Sequence, residues 1–141
     1  MKLSKLDHIL KNDLLEKARI KDKDRILDFG CGTGTLTIMA KKENPNATVH
    51  GVDVDPKIFK IAKNKIKHEN LEIRLNIYKG ISLPYKDKMF DKVLSSLVFH
   101  HLLREEKINA LEEIYRILKY GGTLYIYIFN RPTPSVIHRG R

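Results

Sequence analysis

Cysteine is almost missing from this chain of 141 residues: Cys31 stands alone, so no internal disulfide can form. There is no apolar run of about eighteen residues to span a membrane. The opening residues, Met1-Lys2-Leu3-Ser4-Lys5, lack the continuous apolar core of a signal peptide, and a cytoplasmic protein is expected. Internal repeats and low-complexity stretches are missing as well. Acidic residues are in short supply, with 17 Asp and Glu against 27 Lys and Arg and a formal net charge of +10. An excess of that kind marks some nucleic-acid and anionic-surface binders. The lysines are scattered over helices and loops, however, so a solvated lysine-rich surface is favoured over nucleic-acid binding. The length suits one domain with one real core over residues 1–141.

What the chain does have is Ile26-Leu27-Asp28-Phe29-Gly30-Cys31-Gly32-Thr33-Gly34-Thr35-Leu36. It opens as an apolar strand, breaks into alternating glycines and closes into an amphipathic helix. Glycines there permit positive φ and let a ligand come close to the backbone. The helix from about Thr35 aims free N–H groups and its positive end into the same space. Strand, glycine turn and helix start together make a nucleotide-type site. A dinucleotide fingerprint needs glycine or alanine three residues after its second glycine. Counting from Gly32, that place is Thr35, and the match fails.

Leu3, Leu6, Leu10, Leu14 and Ala18 recur at helical spacing and predict an amphipathic first helix. Strands are expected over Arg25 to Phe29, Ala47 to Asp53, Leu71 to Ile77, Phe90 to Val98 and Thr123 to Phe129. Asn44-Pro45-Asn46 stops the second helix, and Asp55-Pro56 caps the third. Strict alternation in the third strand suits a sheet margin. The helix after the fourth strand is marked by Ile108, Leu111, Tyr115 and Leu118, with Gly121-Gly122 as its stop. The tail, residues 130–141, is basic, holds two prolines and reads as irregular. Alternating strands and helices predict an α/β fold: a Rossmann-like, doubly wound parallel sheet of order 3-2-1-4-5. Ligands in such sheets bind beyond the carboxyl ends of the strands, at the switch point between the first and fourth.

Asp53 ends the second strand, where one carboxylate can take both hydroxyls of a ribose or cap the turn before Asp55. Asp28, beside the turn, has two open roles: binding the turn's N–H groups, or holding an ammonium through water. Cys31 contributes mostly its backbone. Asp28-x-Gly30-x-Gly32-x-Gly34 followed by Asp53 resembles the first motifs of class I S-adenosylmethionine-dependent methyltransferases. Leu83-Pro84-Tyr85, Phe90-Asp91-Lys92-Val93, Phe99-His100-His101-Leu102 and Ile117-Leu118-Lys119-Tyr120-Gly121-Gly122 look like later motifs of the small-molecule branch, which includes quinone-biosynthesis enzymes. The likeness covers about Arg25 to Phe129. It implies S-adenosylmethionine as cofactor, held by Asp28, Gly30, Cys31, Gly32, Gly34, Asp53, Val54, Lys79, Gly80 and Leu97, a small-molecule acceptor, and no metal.

The chain departs from that pattern in three places. Lys79 stands where the family has an aspartate for the adenine amine, and a lysine has no acceptor. Tyr120 replaces a proline before the double glycine. Only twelve residues follow Phe129, so the usual last two strands are expected to be missing. The fifth strand, apolar and uncharged, then becomes a bare edge through which the chain is expected to self-associate. His100 and His101 follow the fourth strand, where either serves as the base for an acceptor that loses a proton, or the pair caps a helix and faces water. Two other readings stay open: an RNA-binding or RNA-modifying module, and a non-catalytic remnant that needs a partner chain.

Lys79 provides a test. Lys79→Asp is expected to tighten binding of S-adenosylhomocysteine if an acceptor is wanted there, or to be neutral if backbone groups already serve. A marked loss by calorimetry contradicts both.

Overall fold

Successive side chains of a strand leave on opposite faces, so the pair Ile26-Leu27 must feed two cores. In the computed structural model, which describes residues 2–96, 98, 101–128 and 133–140, it does. Ile26 joins Leu36, Ala40, Val49 and Leu94 on one face, while Leu27 joins Phe29, Val93, Ala110, Ile114 and Leu124 on the other.

The described elements are α1 (Leu3–Ala18), β1 (Arg25–Phe29), α2 (Thr35–Glu43), β2 (Thr48–Asp53), α3 (Pro56–His68), β3 (Arg74–Ile77), β4 (Phe90–Ser96), α4 (Arg104–Ile117), β5 (Leu118–Tyr127) and β6 (Ser135–His138). They form one sheet of order β3-β2-β1-β4-β5-β6, with β1 to β5 parallel. α1 and α2 supply Leu14, Leu15, Ala18, Leu36 and Ala40 to one core, and α4 supplies Ala110, Ile114 and Ile117 to the other. The buried Tyr127 hydroxyl of β5 donates to the Asp13 carboxylate, which ties α1 to the sheet. α3 is capped as its sequence suggests, Asp55 accepting from the Lys57 N–H at 2.9 Å.

Three expectations need correction. The buried stripe of α4 is Ala110, Ile114 and Ile117, while Ile108, Leu111 and Tyr115 are exposed. Both sets are apolar at helical spacing, and the one carrying the small Ala110 lies on the sheet. α4 also ends at Ile117 and not at Gly121-Gly122, because Leu118 already pairs with Phe90 in the β4–β5 ladder. Last, the tail is not irregular. β6 runs antiparallel to β5, with Thr123 opposite His138 and Ile126 opposite Ser135. A sixth strand therefore stands where none was expected, and the bare β5 edge that was to drive self-association does not exist.

Arg139 explains why the tail returns. Its Nη1 donates to the carbonyls of Tyr115 at 2.6 Å and Leu118 at 2.7 Å, with Arg116 at 3.3 Å. These lie at the end of α4, where backbone acceptors have no helical partner. The guanidinium also rests on the rings of Tyr115 and Tyr120, 4.3 and 4.6 Å from their centres. Backbone bonds between Arg139 and Gly121-Gly122, at 2.7 and 2.8 Å, continue the ladder beyond β6.

Arg139→Gln should therefore destabilise the fold by about 1–3 kcal/mol, the cost of stranding buried acceptors. Urea unfolding measures the loss, and Lys at this position restores only part of it because it lacks the planar fork.

Candidate functional site

The β1–α2 turn is bound to β2 before any side chain acts. The N–H groups of Gly30 and Cys31 both donate to the Val52 carbonyl, at 2.9 and 3.0 Å. Gly30 has φ +72° and a Cβ there would lie 2.3 Å from a Val98 methyl, so only glycine fits. Gly32, at φ +54°, has nothing within 4 Å of a would-be Cβ, which leaves its flank open to a ligand. Its N–H donates to Asp53 Oδ2 at 2.8 Å. Asp53 Oδ1 accepts from Val54 and Asp55, at 2.8 and 3.1 Å. The carboxylate thus caps its own turn and also joins the ends of β1 and β2.

Asp28 is 2% exposed and accepts from the Thr37 hydroxyl at 2.7 Å. Burial pushes its carboxyl up to about 6, with the Thr37 bond working the other way. Burial also raises the Cys31 thiol well above its usual range, which removes it as a nucleophile.

A cleft of about 720 Å³ crosses the carboxyl ends of β1, β2 and β4. Phe29, Val54, Ile58, Tyr78, Ile81, Val98 and Leu102 make it mainly apolar, and Glu106, Asn109 and Glu113 face it from α4. α4 also holds the loop after β3. Asn109 Nδ2 donates to the Ile81 carbonyl at 2.7 Å, and Glu113 Oε1 accepts from the Leu83 N–H at 2.7 Å. Arg116 donates to the carbonyls of Leu83 and Tyr85 and to Asp87. The same Arg116 holds the Glu113 carboxyl below the usual carboxylate range. A second hollow, about 160 Å³, is bordered by Lys11, Asp28, the glycine turn, Thr35 and Ser96.

Of the residues singled out by sequence, Gly30, Gly32, Asp53, Val54, Gly80 and His101 line the cleft, while Asp28 and Cys31 border the smaller hollow. Gly34 lines neither and packs on Ala62. Lys79 is exposed and outside the lining, so its backbone neighbours Gly80 and Ile81 face the cleft instead. Leu97 and His100 lie outside the described residues. Sequence reasoning missed Tyr78, Asn109, Glu113 and Lys11, whereas the backbone around Gly80 and Ile81 had been expected to serve the adenine. Spacing of three and four between Glu106, Asn109 and Glu113 was the available signal, on a helix searched only for its apolar stripe. Among the described residues no three His, Cys, Asp or Glu side chains gather as metal ligands, and no helix is long and apolar enough to cross a membrane.

A family model described as a methyltransferase domain matches residues 26–122. The demethylmenaquinone methyltransferase of Thermus thermophilus is 39% identical over 118 residues, which cover 84% of this chain and 51% of the relative. That of Lactobacillus johnsonii is 35% identical over 128 residues, covering 89% and 52%. The chain spans about half the length of these curated relatives. The solved PH0226 protein of Pyrococcus horikoshii matches with a TM-score of 0.81 over 91% of this chain and 59% of its own, at 23% identity, a likeness of fold.

The buried acid predicts a pH effect. A carboxyl raised on folding binds its proton more tightly in the folded state, so stability falls as pH rises through its unfolded and then its folded value. Between 3.8 and about 6 the ligand-free protein should lose stability that Asp28→Asn does not lose. The difference should be on the order of 3 kcal/mol, read from urea unfolding at pH 4 and pH 7.5.

Proposed function

This chain belongs to the methyltransferase-domain family of S-adenosylmethionine-dependent enzymes, and we propose that it moves the methyl group of that cofactor onto a small, largely apolar acceptor. The observation that carries the reading is Asp53. Its carboxylate is held by the Gly32 N–H beside the open flank of that glycine, at the mouth of an apolar cleft. A ribose diol bound there sets the base among Val54, Ile58 and Ile81, with the Gly80 backbone near it. The glycine turn, with Asp28, Cys31 and Gly34, shapes the other end of the site.

The cofactor supplies a methyl group on a sulfonium, open to in-line displacement. The protein's part is to align the two reactants and keep water out, and alignment alone accounts for much of such an acceleration. Phe29, Val98 and Leu102 suit an aromatic acceptor. The relatives named demethylmenaquinone methyltransferases suggest a hydroquinone ring. Such a transfer would exchange the sulfonium's C–S bond for a C–C bond at a ring carbon, with S-adenosylhomocysteine as leaving group and a ring proton to be taken up. His101, at the cleft, takes that proton; His100 is its neighbour in the chain. Residues 1–141 act as one cofactor-binding domain in this reading. It works in the cytoplasm, where a lone thiol such as Cys31 stays reduced. Nucleic acid is not the favoured partner, since the cleft is apolar and the lysines are dispersed.

S-Adenosylhomocysteine should raise the melting temperature and NAD should not. Asp53→Ala should weaken the former by about 1–3 kcal/mol in calorimetry. Binding as tight as the parent's, in a folded variant, would sink the ribose assignment. With S-adenosylmethionine and reduced 1,4-naphthoquinone, a ring-methylated product is expected by mass spectrometry. His101→Gln should then slow turnover by about a hundredfold while cofactor affinity holds. An unchanged rate removes His101 from the chemistry.

A further inference from the structure

At the opposite end of the sheet from the cleft, a hollow of about 560 Å³ lies over the amino ends of β1, β2 and β3. Its position follows from the chain. Parallel strands are usually joined through a crossover helix, yet residues 78–89, between β3 and β4, hold none. One face of β2 and β3 is therefore covered at that end by a loop, at Pro84, Tyr85 and Met89. Strand register decides what that face presents. Arg25 stands opposite Thr48, and two residues on His50 stands opposite Arg74, so all four leave the sheet on one side.

Positive charge gathers there without being neutralised. Arg25, Arg74, Lys86 and Lys88 line the hollow against one acid, Asp87, which Arg116 already holds at 2.8 Å. Among the described residues no ion pair uses Arg25, Arg74 or Lys86. Asp91, which accepts the Arg25 backbone N–H, and Asp24 pair instead with Lys119 and Lys92. His50 also lines the hollow, yet it is 3% exposed, with the rings of Tyr85 and Phe90 edge-on to it at 5.7 and 5.2 Å. Its Nδ1 has no hydrogen-bond partner among the described residues. Burial, helped by the charges of Arg74 and Arg25, pushes the imidazole down to about 4 and keeps it neutral. Buried polar atoms are nearly always satisfied, and an unmet one beside two unpaired guanidiniums points to a polar ligand.

We propose that this hollow binds a small phosphorylated molecule, its phosphoryl group held by Arg25, Arg74 and Lys86 and its organic part against Tyr85 and Met89. Guanidiniums present paired N–H groups that match phosphate oxygens. The Thr48 hydroxyl and the Asn76 amide add neutral donors. A nucleic-acid backbone fits less well, because the cations border a concavity with a buried imidazole in its wall and do not form a stripe. The site is separate from the cleft at the carboxyl ends and does not rest on the methyl-transfer reading.

Inorganic phosphate and phenyl phosphate, titrated into the full chain by calorimetry at about 0.15 M salt to screen diffuse attraction, test the proposal. Phenyl phosphate should bind the parent about threefold or more tighter than inorganic phosphate, and it should move the His50 ring signals in NMR spectra. Arg25→Gln, Arg74→Gln and Lys86→Gln combined should weaken it by about tenfold or more, through lost charge-assisted contacts. All three side chains are exposed, so the fold should persist, which circular dichroism checks. Lys60→Gln, Lys63→Gln and Lys67→Gln combined remove as much charge from the exposed side of α3 and should leave affinity within about twofold. Saturating S-adenosylhomocysteine should not displace phenyl phosphate. The proposal is overturned if phenyl phosphate does not bind the parent, if both triple variants lose affinity alike, or if S-adenosylhomocysteine competes. Equal affinity for the two phosphates overturns the assignment to an organic phosphate. A short uridine RNA that binds the parent and expels phenyl phosphate gives the hollow to nucleic acid instead.

Discussion

The structure depends on how closely the backbone passes itself at the β1–α2 turn. Gly30 lies against Val98, beyond the end of β4, and two of the turn's N–H groups share the Val52 carbonyl of β2. Three strands are thereby registered at one point, where the sheet changes direction. Any Cβ at Gly30 would push β4 away from β1 and open the seam between the two halves of the sheet. The Asp53–Gly32 bond then aligns a carboxylate that faces both the turn and the cleft. Fold and site share this joint.

Much of this was legible in the residues. The strand–glycine–helix unit, Asp53 at a strand end, the Asp55 cap and the marginal third strand follow from local rules that need no knowledge of distant contacts. What escaped depends on contacts far apart in sequence. Four residues, Ser135–His138, carry too little pattern to announce a strand, and β6 is held by Arg139 against carbonyls more than twenty residues earlier. The stripe of α4 was misread because two apolar stripes lie on one helix, and only the sheet chooses between them. Lys11 looked like one more surface lysine among many. Its place beside Asp28 is set by the packing of Leu14 and Ala18, which its own neighbourhood in the chain does not reveal.

The buried acid is held in the sheet at a cost in stability. An apolar residue at Asp28 would suit the core around Ile26 and Leu94 better than a carboxylate does. The Thr37 hydroxyl and the nearby charge of Lys11 offset part of that cost.

The loop after β3 is bonded to α4 through Asn109, Glu113 and Arg116. It is therefore not a free lid over the cleft. α4 itself is fixed by Ala110, Ile114 and Ile117 in the core, so the contacts that hold the fold together also set the position of this wall of the cleft.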